Sequence, residues 1–136
     1  MTPAALIAIV TALDVMTPFV TTRPLPSDIV VLVDSRELNA WSDGKNIAIT
    51  TRMVEEARNG DELAFVIAHE LGHNITGELG TKQAEIDADA MGIRLMRLAG
   101  YGPHGAVSFL EHTPSPWLAI DHPTNSRRIK LIREHL

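Results

Sequence analysis

His69, Glu70 and His73 are the residues of this chain whose types and spacing point most directly to chemistry. On a helix, side chains four residues apart share a face, with about 5–6 Å between their Cβ atoms. Both imidazoles can therefore turn toward one cation at a Zn–N distance of about 2.0–2.1 Å. Glu70 lies about 100° further round the helix. It is poorly placed to share the ion, but it can reach a water bound there. Two ligands and a general base at this spacing make the HExxH arrangement, which serves zinc-assisted hydrolysis. The competing reading is a pair of solvated histidines on a polar face. Leu63, Ala64, Phe65, Val66, Ile67, Ala68 and Leu71 weigh against it. They predict a largely buried helix, and buried rings need partners.

A catalytic zinc ion usually has three protein ligands and one open position. The next predicted helix offers Glu85, Asp87 and Asp89. Glu85 and Asp89 share a face, with Ala88 alongside, whereas Asp87 points elsewhere. The spacing predicts Glu85 as the third metal ligand. Asp89 is expected to accept the N–H of a ligating histidine and so fix its tautomer. Ala88 is small enough to let the two helices approach at the metal. The alternative is that all three acids are solvated helix charges.

The elements that must position these groups follow from periodicity and punctuation. Residues 4–17 read as a helix with Leu6, Ile9, Val10, Leu13 and Met16 on one stripe. A proline-broken loop follows over 18–27. Ile29–Val33 reads as a buried strand, and Asn39–Trp41 with Asn46–Thr50 as an antiparallel hairpin turning at Asp43-Gly44. A short helix is expected over 51–58. The HExxH helix is expected from a cap at Asp61 to about Ile75, then a helix over 82–99 ended by Gly100. A shorter helix starts at Pro103. A last one opens at Pro123, with Ile129, Ile132 and Leu136 inward and Arg127, Arg128, Lys130 and Arg133 mostly outward. His104, His112 and His135 fall in exposed-looking segments.

The pair His69-Glu70-Leu71-Gly72-His73 and Glu85-Ile86-Asp87-Ala88-Asp89, followed by Ala99-Gly100-Tyr101, resembles the HExxH…ExxAD…AGY pattern of one family. This is the zinc peptidase family of the CAAX prenyl endopeptidases, HtpX and the mitochondrial Oma peptidases (peptidase family M48). Asn39-Ala40-Trp41 with Gly44 resembles the family's edge-strand region. His122-Pro123…Arg127-Arg128-Ile129 resembles its His-Pro…Arg-Ile stretch. The resemblance spans about residues 28–133. It implies an α+β fold: a mostly helical zincin-like (minigluzincin) domain whose small antiparallel or mixed sheet packs over the HExxH helix. It also implies a metalloendopeptidase of the HExxH-plus-Glu, gluzincin type, with one Zn²⁺ per chain and Glu70 as general base. His122 is then the first candidate for stabilising the oxyanion and Arg127 the second. His122 could instead cap the helix before Pro123, and Arg127 could pair with an acid such as Asp89. The extended stretch Asn39, Ala40 and Trp41 could take substrate as an added strand. Membrane members carry hydrophobic spans that this chain lacks, which makes it resemble a minimal soluble form.

The 136 residues are expected to form one domain, with an N-terminal helix and loop over 1–27 and a core over 28–136. Without cysteine, disulfides and thiolate ligands are excluded, so any metal is held by histidine and carboxylate. The formal charge of −5 and the lack of a basic patch exclude nucleic acid as an expected partner. The partner expected is a protein or peptide substrate. The apolar run over 4–13 is too short to span a bilayer, which takes about 20 residues. It reads as a buried first helix rather than the remnant of an anchor or leader, with membrane association through residues 1–17 left open. A cytoplasmic location is expected. The rival functional class is a non-catalytic zinc-binding regulatory or interaction domain. A structural site, however, has no use for a base beside an open coordination position.

Overall fold

The structure is a computed structural model that describes residues 3–21, 29–113 and 124–136. Its elements are α1 (Pro3–Asp14), a 3-10 turn (Thr17–Phe19), β1 (Ile29–Val33), β2 (Ala40–Ser42), β3 (Asn46–Thr50), α2 (Thr51–Glu56), α3 (Gly60–Thr76), α4 (Lys82–Ala99), α5 (His104–His112) and α6 (Asn125–Arg133). This is the mostly helical α+β fold with a small mixed sheet that the resemblance implied. All other elements are arranged about α3, which is buried from Glu62 to Ile75. Its cap is Asn59, whose side-chain oxygen accepts the Glu62 N–H. Asp61, expected as the cap, accepts the Gly102 N–H instead and ties the α4–α5 connection to the start of α3. Gly77 ends the helix in the left-handed region, which a residue without Cβ enters freely.

The sheet order is β1-β3-β2, with β1 parallel and β2 antiparallel to β3. The hairpin forms as expected, and Asp43 Oδ1 accepts the Lys45 and Asn46 N–H groups in its turn. β1 departs from its expected burial: Val31 and Leu32 are 47% and 45% exposed. A continuous β-branched run suits a strand covered on both faces, but β1 is an edge, and β3 with buried Ile47 and Ile49 takes the centre. β2 is the other edge. The Ser42 hydroxyl donates to Asn74 Oδ1, which holds β2 against α3 one residue beyond His73.

α3 packs chiefly against α4, and the approach is nearly backbone to backbone. A Cβ on Gly72 would stand 2.7 Å from the Ala88 carbonyl oxygen, and one on Gly92 would stand 3.1 Å from the His69 nitrogen. α5 is fastened to the start of α3 by Glu62, which accepts from Ser108 Oγ at 2.7 Å and lies 2.6 Å from His112 Nε2. Burial pushes the Glu62 carboxyl up, but these bonds and the Arg58 N–H hold it below its ordinary value. His112 is therefore a packing residue and not the exposed one expected.

α6 is capped by Thr124, whose hydroxyl accepts the Arg127 N–H. Asn125 Nδ2 donates to the carbonyls of Leu110 and Thr113 and fixes α6 to α5. Ile132 is buried as expected, whereas Leu136 is exposed and Arg128, expected outside, is buried. Replacing Gly72 with alanine should destabilise the protein by about 1–3 kcal/mol through overpacking. The same change should prise apart the helices that carry His69, His73 and Glu85, and so weaken the hold on any metal placed between them. Urea unfolding and metal titration of the variant check this; unaltered values for both would refute so close a crossing.

Candidate metal centre

Four buried groups meet where α3 and α4 cross. His69 and His73 project from successive turns of α3, their ring centroids 4.8 Å apart and nearly perpendicular. Glu85, in the first turn of α4, places Oε1 3.4 Å from His69 Nε2 and Oε2 2.5 Å from His73 Nε2. Glu70 Oε2 stands 3.8 Å from His69 Nε2 and has no hydrogen-bond partner among the described residues. The ligand atoms of His69, Glu70 and His73 also fall within 4.8 Å of one another, so two carboxylates compete for the third ligand position. Glu85 is the nearer to both rings and comes from the facing helix.

The far nitrogens of the two rings are held differently. His69 Nδ1 lies 2.8 Å from Asp89 Oδ1, and His73 Nδ1 lies 2.8 Å from the Glu78 carbonyl oxygen. An ionised carboxylate and a carbonyl only accept, so both Nδ1 atoms carry the proton and both Nε2 atoms face the centre. Asp89 is ionised. Burial works against its charge, but the Arg128 guanidinium holds its carboxyl down at about 2. Arg128 donates from Nε to Asp89 Oδ2 at 2.8 Å and from Nη2 to Oδ1 at 2.7 Å.

Charge balance tests whether these residues suit a cation. Glu70, Glu85 and Asp89 are three buried carboxylates, and Arg128 is the buried fixed cation among the described residues. Two negative charges are left over, and unpaired buried charges are costly. A divalent ion between neutral imidazoles would cancel them. Without an ion, protons do part of this work. Burial pushes the Glu70 carboxyl up to about 7, even though His69 and His73 act against the shift. Burial alone would lower the His69 value, but hydrogen bonds to Asp89 and Glu85 raise it to about 10. The donor set of two imidazoles and a carboxylate is one that zinc accepts.

The structure thus brings together His69, Glu70, His73, Glu85 and Asp89. Arg127 is exposed on α6, and the pairing with Asp89 considered for it belongs to its neighbour Arg128. Sequence reasoning missed Arg128. The available signal was its place on the stripe Asn125, Arg128, Ile132, which proves to be the buried face of α6. His122 lies outside the described residues. Asn39 leads into β2 and its carbonyl accepts the Thr50 N–H; Ala40 is buried, and Trp41 is 42% exposed.

Ligation of a metal here must displace protons. The folded His69 value lies above the ordinary 6.5, so its stabilising effect on the metal-free protein is complete below about 6.5 and is lost as pH rises through about 10. Zinc binding at pH 7–8 should therefore release at least one proton, and affinity should rise with pH. Calorimetry in two buffers of different ionisation enthalpy measures the release; a heat independent of buffer would contradict it.

The family model described as Peptidase family M48 matches residues 11–83, more than half of the chain. The match takes in the whole HExxH motif and stops just short of Glu85. Among curated proteins there is no match to the chain.

Proposed function

The chain belongs to peptidase family M48, a family of zinc-dependent peptidases, and from that premise we propose that it is a zinc-dependent endopeptidase. The observation that carries this reading is the buried cluster of two imidazoles and Glu85, with Glu70 Oε2 standing beside it without a hydrogen-bond partner among the described residues. His69, His73 and Glu85 would hold one Zn²⁺ per chain. When bound, the ion supplies an acidified water and polarises the scissile carbonyl. Glu70 is the general base. Its Oε2 stands 3.8 Å from His69 Nε2, within reach of a water held beside the two imidazoles. Its Oε2 takes the proton of the attacking water and passes it to the leaving amine. Asp89 keeps the His69 proton on Nδ1, so that Nε2 remains the donor atom.

The substrate is a protein or peptide, bound by its main chain along the outer edge of β2, with Asn39, Ala40 and Trp41 as the receiving stretch. Supporting this are the edge position of β2 and its tether to Asn74, next to His73. His122 is assigned as the donor to the developing oxyanion, with Arg127 second. Among the described residues no helix is long and apolar enough to cross a membrane. A purely structural or regulatory zinc site is disfavoured, because Glu70 would be buried there at a cost and without a use.

Glu70→Gln should keep about one equivalent of zinc and lose at least 100-fold in peptide cleavage, about the weight of a general base. Glu85→Ala should lose zinc on dialysis against a mild chelator. Metal analysis and casein cleavage on the two variants together decide the reading; full activity in Glu70→Gln would end it. His122→Ala should lower turnover about 10²–10³-fold with zinc content intact. Unchanged turnover would remove His122 from the chemistry.

A further inference from the structure

Among the described residues, Arg128 is the largest side chain that is fully buried, and no catalytic step described above uses it. It comes from α6, thirty-nine positions along the chain from Asp89. It reaches His69 by two routes. It donates from Nε and Nη2 to Asp89, whose Oδ1 also accepts from His69 Nδ1. Its guanidinium carbon also lies 5.9 Å from the centroid of the Phe65 ring, and that ring is tilted against His69 with centroids 6.1 Å apart. His69 is thus gripped at Nδ1 by one partner of Arg128 and on its flank by another. His73 has a different support: a main-chain carbonyl of the α3–α4 turn, at Glu78. α6 in turn is pinned to α5 by Asn125.

Resting on the zinc-peptidase reading, we infer that Arg128 is a positioning residue of the metal centre, acting through Asp89 to orient His69 and set zinc affinity, so that the docked α6 is a working part of the site. The guanidinium fork matters in two ways. It takes one acceptor site on each Asp89 oxygen and so fixes the plane of the carboxylate, with Oδ1 directed at His69 Nδ1. It also supplies the fixed positive charge that leaves room for a divalent ion among three carboxylates. A lysine supplies the charge without the fork.

The test is a double-mutant cycle on zinc affinity, measured at pH 7.5 by competition with a chromogenic chelator. Arg128→Lys and Arg128→Met should each weaken binding about 10–100-fold, the usual weight of groups supporting a metal ligand. In an Asp89→Asn background the same changes should alter affinity by less than about threefold, because the route through Asp89 is already cut. Losses of equal size in both backgrounds, or an Arg128→Lys affinity within about threefold of the parent, overturn the inference. If Arg128→Met does not fold, Arg128→Lys decides. If neither folds while the Asp89→Asn, Arg128→Met pair does, the guanidinium serves only to neutralise Asp89 and the inference falls. A parent protein that holds no zinc removes the peptidase reading itself, a result distinct from any of these.

Discussion

Two helices can present ligands to one small ion only if they nearly touch. Here that contact is made by α3 and α4, at Gly72 against Ala88 and at Gly92 against the His69 main chain. Any larger residue at these points would force the backbones apart and carry Glu85 away from the imidazoles. The glycine at 72 belongs to the HExxH segment itself. Its value is therefore steric: it gives the first ligand helix a bare surface on which the second can lie. The cap at Asn59 and the left-handed glycine after Thr76 set the ends of α3.

Close approach concentrates charge. Three carboxylates and one guanidinium are buried together, with the Phe65 ring against His69 and Arg128. In that setting burial raises Glu70, hydrogen bonds to Asp89 and Glu85 raise His69 against its burial, and the Arg128 guanidinium holds Asp89 down, which leaves a shortfall of positive charge that either protons or a divalent cation can make good. Arg128 sets the size of that shortfall. α5 is fixed to the start of α3 through Glu62 with Ser108 and His112, and α6 is fixed to α5 through Asn125.

The local parts of the fold were legible in sequence. Helix stripes, the Asp43-Gly44 turn and the glycines after α3 and α4 act over a few residues, and their effects can be read from spacing alone. The errors were all non-local. Ile29–Val33 has the composition of a covered strand but lies at an edge, because which strand is central depends on pairing order. Asp61 and Asn59 are both competent caps, and the choice was made by Gly102, far along the chain, which engages Asp61. Arg127 and Arg128 are chemically identical neighbours, and only the face that α6 turns toward α4 separates them.

By itself, the sequence determined the types of the candidate ligands, the i, i+4 spacing on each helix and the carboxylate beside the first histidine, because helical geometry converts spacing into shared faces without reference to anything else. Tertiary structure alone decided which carboxylate stands closest to both imidazoles. It also decided that Asp89 is held ionised by Arg128 and that β2 forms an edge beside His73. Those outcomes depend on how separate elements approach one another and on the dielectric that their packing creates, and neither quantity is encoded in any single stretch of chain.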